Sequence, residues 1–183
     1  MTEILDSLEN EPNWEIGFAK PGDGAGIAEV QKTGWLATYP DPSIGFTKED
    51  IDSLQLESPE RIAKWESGIE NQNEGKGIWV VRGEDKIIGY AVGEKTPEKQ
   101  ELKALYALPR YRGKKVGKAL MDNTLVWFDP TRDIVVWVFS HNNTAINFYN
   151  RYDFEKSGNI DAPEINGKNI PILEMIRKAI PID

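Results

Sequence analysis

Read from its amino end, the chain first alternates apolar and other residues over Trp14-Glu-Ile-Gly-Phe18, as a short strand does. Glycine-rich Pro21–Ile27 follows, and Ile27, Val30, Gln31 and Trp35 then recur at helical spacing. Trp35–Phe46, rich in aromatics and proline, predicts a loop with apolar anchors. Thr47-Lys-Glu-Asp50 has the form of a capping box and opens a short helix. Ser58-Pro59-Glu-Arg61 opens the next, which carries Ile62, Trp65 and Ile69 on one face and ends before Gly75. From Gly77 the period shortens. Ile78–Val81 and Ile87–Val92 flank a polar turn and predict an antiparallel hairpin, followed by a strand over 101–108. Val116, Ala119, Leu120 and Trp127 follow a helical period with Asn123 as a polar intruder, and Pro130 ends that helix. Ile134–Phe139 is a continuous apolar run, as in a strand buried on both faces. Asn142 or Asn143 caps a helix carrying Ala145, Phe148, Tyr149 and Tyr152. Phe154–Ser157 and Pro171–Arg177 read as two closing strands.

The order of elements predicts an α/β (α+β) fold: a single domain over 13–183 with a mixed, mostly antiparallel sheet of about six or seven strands and helices on both faces. Residues 1–12 read as a loose lead-in, acidic and without the apolar run of a signal or membrane segment. Cytoplasmic location is the default expectation, with no membrane partner.

Charge and composition narrow the chemistry. With no cysteine, disulfides, thiolate metal ligands and a cysteine nucleophile are excluded. The net charge of −8 argues against nucleic acid as a partner; it is consistent with a cationic acceptor or serves solubility alone. One histidine and scattered acids make no metal ligand set, so no metal is expected. Gly22-x-Gly24-x-Gly26 lacks the third glycine of a dinucleotide fingerprint and reads as a loop with an Asp23 cap. His141 reads as a surface or capping histidine.

The stretch with most chemistry is Arg112-Gly-Lys-Lys-Val-Gly-Lys118. It stands between a strand and a helix start, where backbone N–H groups lack partners and the helix dipole favours an anion. Gly113 and Gly117 let a ligand approach the backbone; Arg112, Lys114, Lys115 and Lys118 add positive charge. The combination predicts a phosphate cradle, with a solvated basic cap as the alternative. It is not a Walker loop, since Ala119 follows Lys118.

Leu105–Leu120 resembles the acetyl-CoA motif of the GNAT family of N-acetyltransferases, Arg/Gln-x-x-Gly-x-Gly/Ala after a strand. Asn142-Asn-Thr-Ala-Ile-Asn-Phe-Tyr149, running on to Phe154, resembles that family's second signature. The resemblance covers residues 77–177 closely. It departs at Lys115 and Asp153, where the family has glycine; at Lys115 a backbone of positive φ would cost on the order of 1 kcal/mol.

The resemblance implies acetyl transfer from acetyl-CoA to a primary amine by direct attack in a ternary complex. Backbone groups of Leu105, Tyr106 and Ala107 would pair with the pantetheine arm. Amides over Arg112, Gly113, Lys114, Lys115, Val116, Gly117 and Lys118 would take the pyrophosphate, and Asn142 would meet the cofactor. Tyr149 would protonate the departing thiolate and Ala107 N–H polarise the carbonyl. Glu101 is a candidate base, with a strand-end charge or a water chain left open beside it. Trp35 and Tyr39 either face a cationic acceptor or anchor their loop. The acceptor expected is a small-molecule or peptide amine, a small amine or polyamine slightly favoured over a protein N-terminus or lysine, in a monomer or homodimer. A non-catalytic acyl-CoA-binding or sensor domain of the same fold is the alternative.

Overall fold

The computed structural model describes residues 13–83 and 85–181; the lead-in expected over 1–12 lies outside them. Its seven-stranded sheet has the order β1-β2-β3-β4-β5-β9-β6. The strands are β1 (Glu15–Phe18), β2 (Lys76–Arg82), β3 (Ile87–Lys95), β4 (Gln100–Ala107), β5 (Ile134–Phe139), β6 (Phe154–Asp161) and β9 (Ile172–Arg177). Every neighbouring pair is antiparallel except β4 and β5. The single-domain mixed sheet predicted from the sequence is the one observed.

The described residues form five α-helices: α1 (Gly24–Thr38), α2 (Lys48–Ser53), α3 (Pro59–Glu70), α4 (Val116–Trp127) and α5 (Asn143–Asn150). Helix α1 lies on β3 and β4 with α3 packed against it, while α4 lies on β2, β3 and β4. The predicted caps form at α2, where Thr47 and Asp50 complete a reciprocal capping box, and at α3, where Ser58 Oγ accepts from Arg61 N. At α1 the cap differs. The Asp23 carboxylate accepts from Lys20 N and pairs with Arg82, and makes no cap bond. Glu66 of α3 takes the amides of Gly22 and Gly24 instead, at 2.9 and 2.7 Å. A β-carbon at Gly24 would stand 2.5 Å from Glu66 Oε1, so the glycine makes room for a carboxylate 42 residues away. A cap supplied across two helices has no local sequence signal.

The parallel pair β4–β5 organises the site. Its ladder joins only Gln100, Glu101 and Leu102 to Ile134, Val135 and Val136. Beyond it, β4 follows β3 as far as Ala107↔Gly89, and β5 follows β9 as far as Phe139↔Ile172. The strands part where β4 bulges: Gly93 faces Leu102 while Val92 faces Ala104, leaving Lys103 as the extra residue. A bulge bends its strand and interrupts pairing there. The joined end is locked by fully buried Gln100, whose amide accepts from Asp129 N and donates to the carbonyls of Asp129 and Arg132.

A second, smaller core forms beyond the open end from Tyr39, Phe46, Ile51, Leu56 and Ile170. It holds the aromatic loop after α1 as a closed turn, with Asp41 and Phe46 exchanging backbone hydrogen bonds. A small hairpin of β7 (Glu164–Ile165) and β8 (Lys168–Asn169) clamps this turn. Lys168 reaches Gly45 O and Asp50, and Asn166 donates to Asp50 at 3.0 Å. The sequence reading passed over this hairpin, although its turn, Asn166-Gly167, is a strong hairpin signal. Both turn residues have positive φ, 52° and 74°.

Candidate active site

The split between β4 and β5 opens into a cavity of about 1170 Å³. Three walls meet there: the end of β4, the turn and first residues of α4, and the exposed side of α5.

The β4 wall offers backbone. Leu108 N bonds Ile88 O across the β3–β4 ladder, and antiparallel pairs bond at alternate residues. Leu105 and Ala107 therefore turn their N–H and C=O groups away from β3, into the gap where β5 no longer pairs. Leu105, Tyr106 and Ala107 all line the cavity.

The turn wall offers amides and charge. Pro109–Tyr111 forms a single 3-10 turn, Gly113 has φ 77°, and α4 begins at Val116. The first intrahelical bond runs from Ala119 N to Lys115 O, so the amides of Val116, Gly117 and Lys118 precede the helical ladder. Arg112, Gly113, Lys115, Gly117 and Lys118 line the cavity; Lys114 and Val116 do not. Lys114 stands 5.4 Å over the Tyr111 ring, and the Val116 side chain is fully buried in the core. Arg112 donates to Thr38 Oγ1 at 2.9 Å, tying the turn to the end of α1. Lys118 pairs with Asp122 at 2.5 Å along the helix.

The two departures from the glycine pattern share one backbone state. Lys115 has φ 65° and Asp153 has φ 62°, both left-handed. Glycine takes that conformation freely; an L side chain is strained in it. Lys115→Gly is expected to raise stability by about 0.5–1 kcal/mol after glycine's greater chain entropy is set against the relief. Thermal unfolding would register about 1–4 °C. A lowered midpoint would mean that the lysine side chain stabilises the turn by more than its strain.

The α5 wall carries Tyr149, 6% exposed, with its ring against Phe148 and Phe154 at centroid distances of 5.6 and 5.7 Å. Burial pushes its hydroxyl well above the ordinary phenol range, as it does for Tyr39 and Tyr106. All three are protonated at neutral pH. Asn142 caps α5, its Oδ1 accepting from Ala145 N at 3.1 Å, and also faces the cavity. Asn147, Arg151 and Tyr152 line this wall and were missed in the sequence; their spacing from Asn143 along one helix face was the available signal.

Arg112, Lys115, Lys118 and Arg151 bring positive charge to the lining, which among the described residues holds no carboxylate. In a chain of net charge −8 this is a local reversal of sign at a helix N-terminus, which suits a phosphorylated ligand.

Three expected site residues sit elsewhere or otherwise. Glu101 lies where β4 and β5 are still joined, outside the lining, 5% exposed. Burial raises its proton affinity, but hydrogen bonds from Lys103 at 2.7 Å and Lys99 at 2.5 Å outweigh this, and its pKa falls below the ordinary carboxylate range. Tyr39 is stacked on Phe139 at 3.9 Å, with Trp35 edge-on at 5.2 Å, so its ring is packed by neighbours. Its hydroxyl shares a 2.8 Å hydrogen bond with Tyr106 at the cavity wall. Trp35 does not line the cavity; its buried Nε1 approaches the Tyr106 hydroxyl without completing a hydrogen bond. The loop expected from Trp35 begins only after Thr38: Trp35 lies on the last turns of α1 and Tyr39 just beyond its end, and both rings pack against Phe139.

Comparison with known proteins places this geometry. Residues 74–156 match the family model described as the acetyltransferase (GNAT) domain. A comparison with curated proteins returned no match. Among solved structures, the PaiA N-acetyltransferase of Thermoplasma acidophilum in complex with coenzyme A superposes with a TM-score of 0.71 at 21% identity, over 92% of this chain and 100% of that one. YncA of Salmonella typhimurium with its cofactor acetyl-CoA gives 0.65 at 18%, over 93% and 96%. The ribosomal-protein-S18-alanine N-acetyltransferase of Escherichia coli gives 0.60 at 14%, over 92% and 96%. The matched segment holds the strand split, the basic turn and the tyrosine helix together, so the part of the chain that builds the cavity is the part that matches the acetyltransferase (GNAT) domain, and the fold is the one those N-acetyltransferase structures share.

Proposed function

We propose that this protein transfers an acetyl group from acetyl-CoA to a primary amine by direct attack in a ternary complex. The observation that carries this is the cavity, cationic among the described residues, which runs from the amides of α4 to an unpaired edge of β4. Pyrophosphate oxygens accept from the amides between Gly113 and Lys118, with Arg112 and Lys115 beside them. The pantetheine arm acts as a substitute strand along Leu105–Ala107, and the CoA bound to PaiA and the acetyl-CoA bound to YncA support that reading.

With the arm so placed, the thioester lies near Ala107, whose N–H stabilises charge on the carbonyl oxygen as the amine adds. The nitrogen–carbon bond forms and the carbon–sulfur bond breaks, its electron pair leaving on sulfur. Tyr149 Oη protonates that thiolate and regains a proton from the nitrogen side, since an ammonium acceptor loses two protons in all. Burial keeps Tyr149 in the neutral form that this step requires. The acceptor enters from the side of Tyr39, Tyr106 and the loop after α1, and the acidic chain favours a small amine or polyamine. We place the reaction in the cytoplasm. No helix among the described residues is long and apolar enough to cross a membrane.

A thiol-release assay with acetyl-CoA against spermidine, amino acids, aminoglycosides and N-terminal peptides tests this. Amine-dependent release is expected. Tight acetyl-CoA binding without release for any amine would identify a non-catalytic acyl-CoA sensor instead.

A further inference from the structure

The cavity passes through the sheet. Leu105 and Tyr106 are consecutive on β4 and so point to opposite faces. Leu105 faces α4, where a β-carbon on Gly117 would lie 3.9 Å from it. Tyr106 faces α1, where a β-carbon on Gly34 would lie 3.0 Å from its ring. Both side chains line the cavity, as do Gly117 and Gly34. The basic turn opens one mouth, on the α4 face. The other mouth, on the α1 face, is the one left for the acceptor.

That second mouth is framed by a bridge between the parted strands. Tyr106 of β4 shares its 2.8 Å hydrogen bond with the Tyr39 hydroxyl, and the Tyr39 ring stacks on Phe139 of β5 at 3.9 Å and 17°. The Tyr106 ring is itself held, stacked on Tyr90 at 5.5 Å with α1 against its edge at Gly34. Tyr106 stays half-buried, Tyr39 is 5% exposed, and both line the cavity. Tyr149 is within electrostatic reach of the pair. Burial first and then Tyr106 raise its proton affinity, while burial, Tyr106 and Tyr149, in that order, raise that of Tyr39. Three neutral hydroxyls therefore share one end of the cavity.

The inventory of the bridge decides what it can hold. One of the two hydroxyls donates to the other, which leaves the pair one O–H and three lone pairs. An ammonium group is a donor only and fits that surplus of acceptors. Neutral oxygens also suit the reaction better than a carboxylate, which would hold the positive charge on nitrogen and oppose its deprotonation. Resting on the acetyl-transfer function above, we propose that the Tyr39–Tyr106 hydroxyl pair binds the acceptor, holding its primary amine by N–H···O hydrogen bonds at the α1 mouth of the split. Tyr106 is the more open contact; Tyr39 orients its hydroxyl and adds a second oxygen. The pair forms no covalent bond with the amine and fixes the nitrogen in place before attack.

Stability and kinetics together separate recognition from bracing. Tyr39→Phe and Tyr106→Phe each strand the partner's hydroxyl and are expected to lower the thermal midpoint, whereas the double variant strands none and is expected to recover it. Thiol release is followed with spermidine, or with another amine of the panel if spermidine is not turned over. Each single variant is expected to raise the acceptor KM about tenfold, the effect of losing one hydrogen bond to a charged group. The double variant is expected to raise it at least as much despite its regained stability, with the acetyl-CoA Kd within about twofold of wild type. A hydrogen bond that merely braces the loop gives the reverse, a double variant whose acceptor KM returns to wild type along with its midpoint, and that result overturns the proposal. So does an acetyl-CoA Kd that weakens in step with the acceptor KM, because the pair would then belong to the cofactor's part of the cavity. No release from wild-type protein with any amine overturns acetyl transfer itself, and this assignment with it.

Discussion

Tyr149→Phe is expected to lower kcat about 100-fold while the acetyl-CoA Kd stays within twofold of wild type. The substitution deletes one oxygen and keeps the ring, so the packing against Phe148 and Phe154 is retained. What disappears is a neutral proton donor, and a positioned general acid contributes roughly 100- to 10,000-fold. The lower end, about 2.7 kcal/mol of transition-state stabilisation, is the better expectation because water can reach the open cavity and protonate the thiolate in its place. The separation of the two constants is the informative part. A loss confined to kcat marks an interaction made only in the transition state; a matching loss of affinity would mark a packing defect. Steady-state kinetics with calorimetry on the same protein distinguishes these, and unchanged turnover would remove Tyr149 from the chemistry.

Gly117→Glu should have the opposite signature, with cofactor binding lost by more than about 100-fold in a protein that still folds. A β-carbon at Gly117 meets Phe148 at 3.6 Å, an ordinary contact, so the backbone tolerates a side chain. A carboxylate in the first turn of α4 also suits the helix dipole and does not threaten stability. It would, however, occupy the amides proposed for the pyrophosphate and set a negative charge against it. Gly117→Gln separates bulk from charge, because it fills similar space without repelling phosphate and is expected to lose less. Near-wild-type affinity in Gly117→Glu, measured by calorimetry with acetyl-CoA, would move the pyrophosphate away from this turn.

Both variants test residues that were legible in the sequence, and the reason is local. Gly117 and Tyr149 belong to short runs whose chemistry depends on neighbours a few positions away, a helix start in one case and a helix face in the other. The same holds for the Thr47 and Ser58 caps and for the apolar run of β5, all found where the pattern put them. Asp23 fails as a cap because Arg82 and Lys20 claim its carboxylate and Glu66 supplies the helix instead. Glu101 fails as a cavity residue because the strands have not yet parted at its position. His141 meets Asp41 and Tyr39 meets Tyr106 across 100 and 67 positions, so nothing near either in sequence marks its partner.

The sequence by itself determined the order of elements, a sheet of about six or seven strands, the basic turn and the tyrosine helix, since each is written in periodicity, capping or composition within about twenty residues. Only the tertiary structure decided where β4 and β5 separate, which side chains the resulting cavity receives, and that Lys115 and Asp153 take left-handed backbone in place of glycine. The physical reason is range. Backbone propensity and amphipathic period act along the chain, whereas a ladder's end, an ion pair or a buried ring nitrogen is set by what packs against it from elsewhere in the fold.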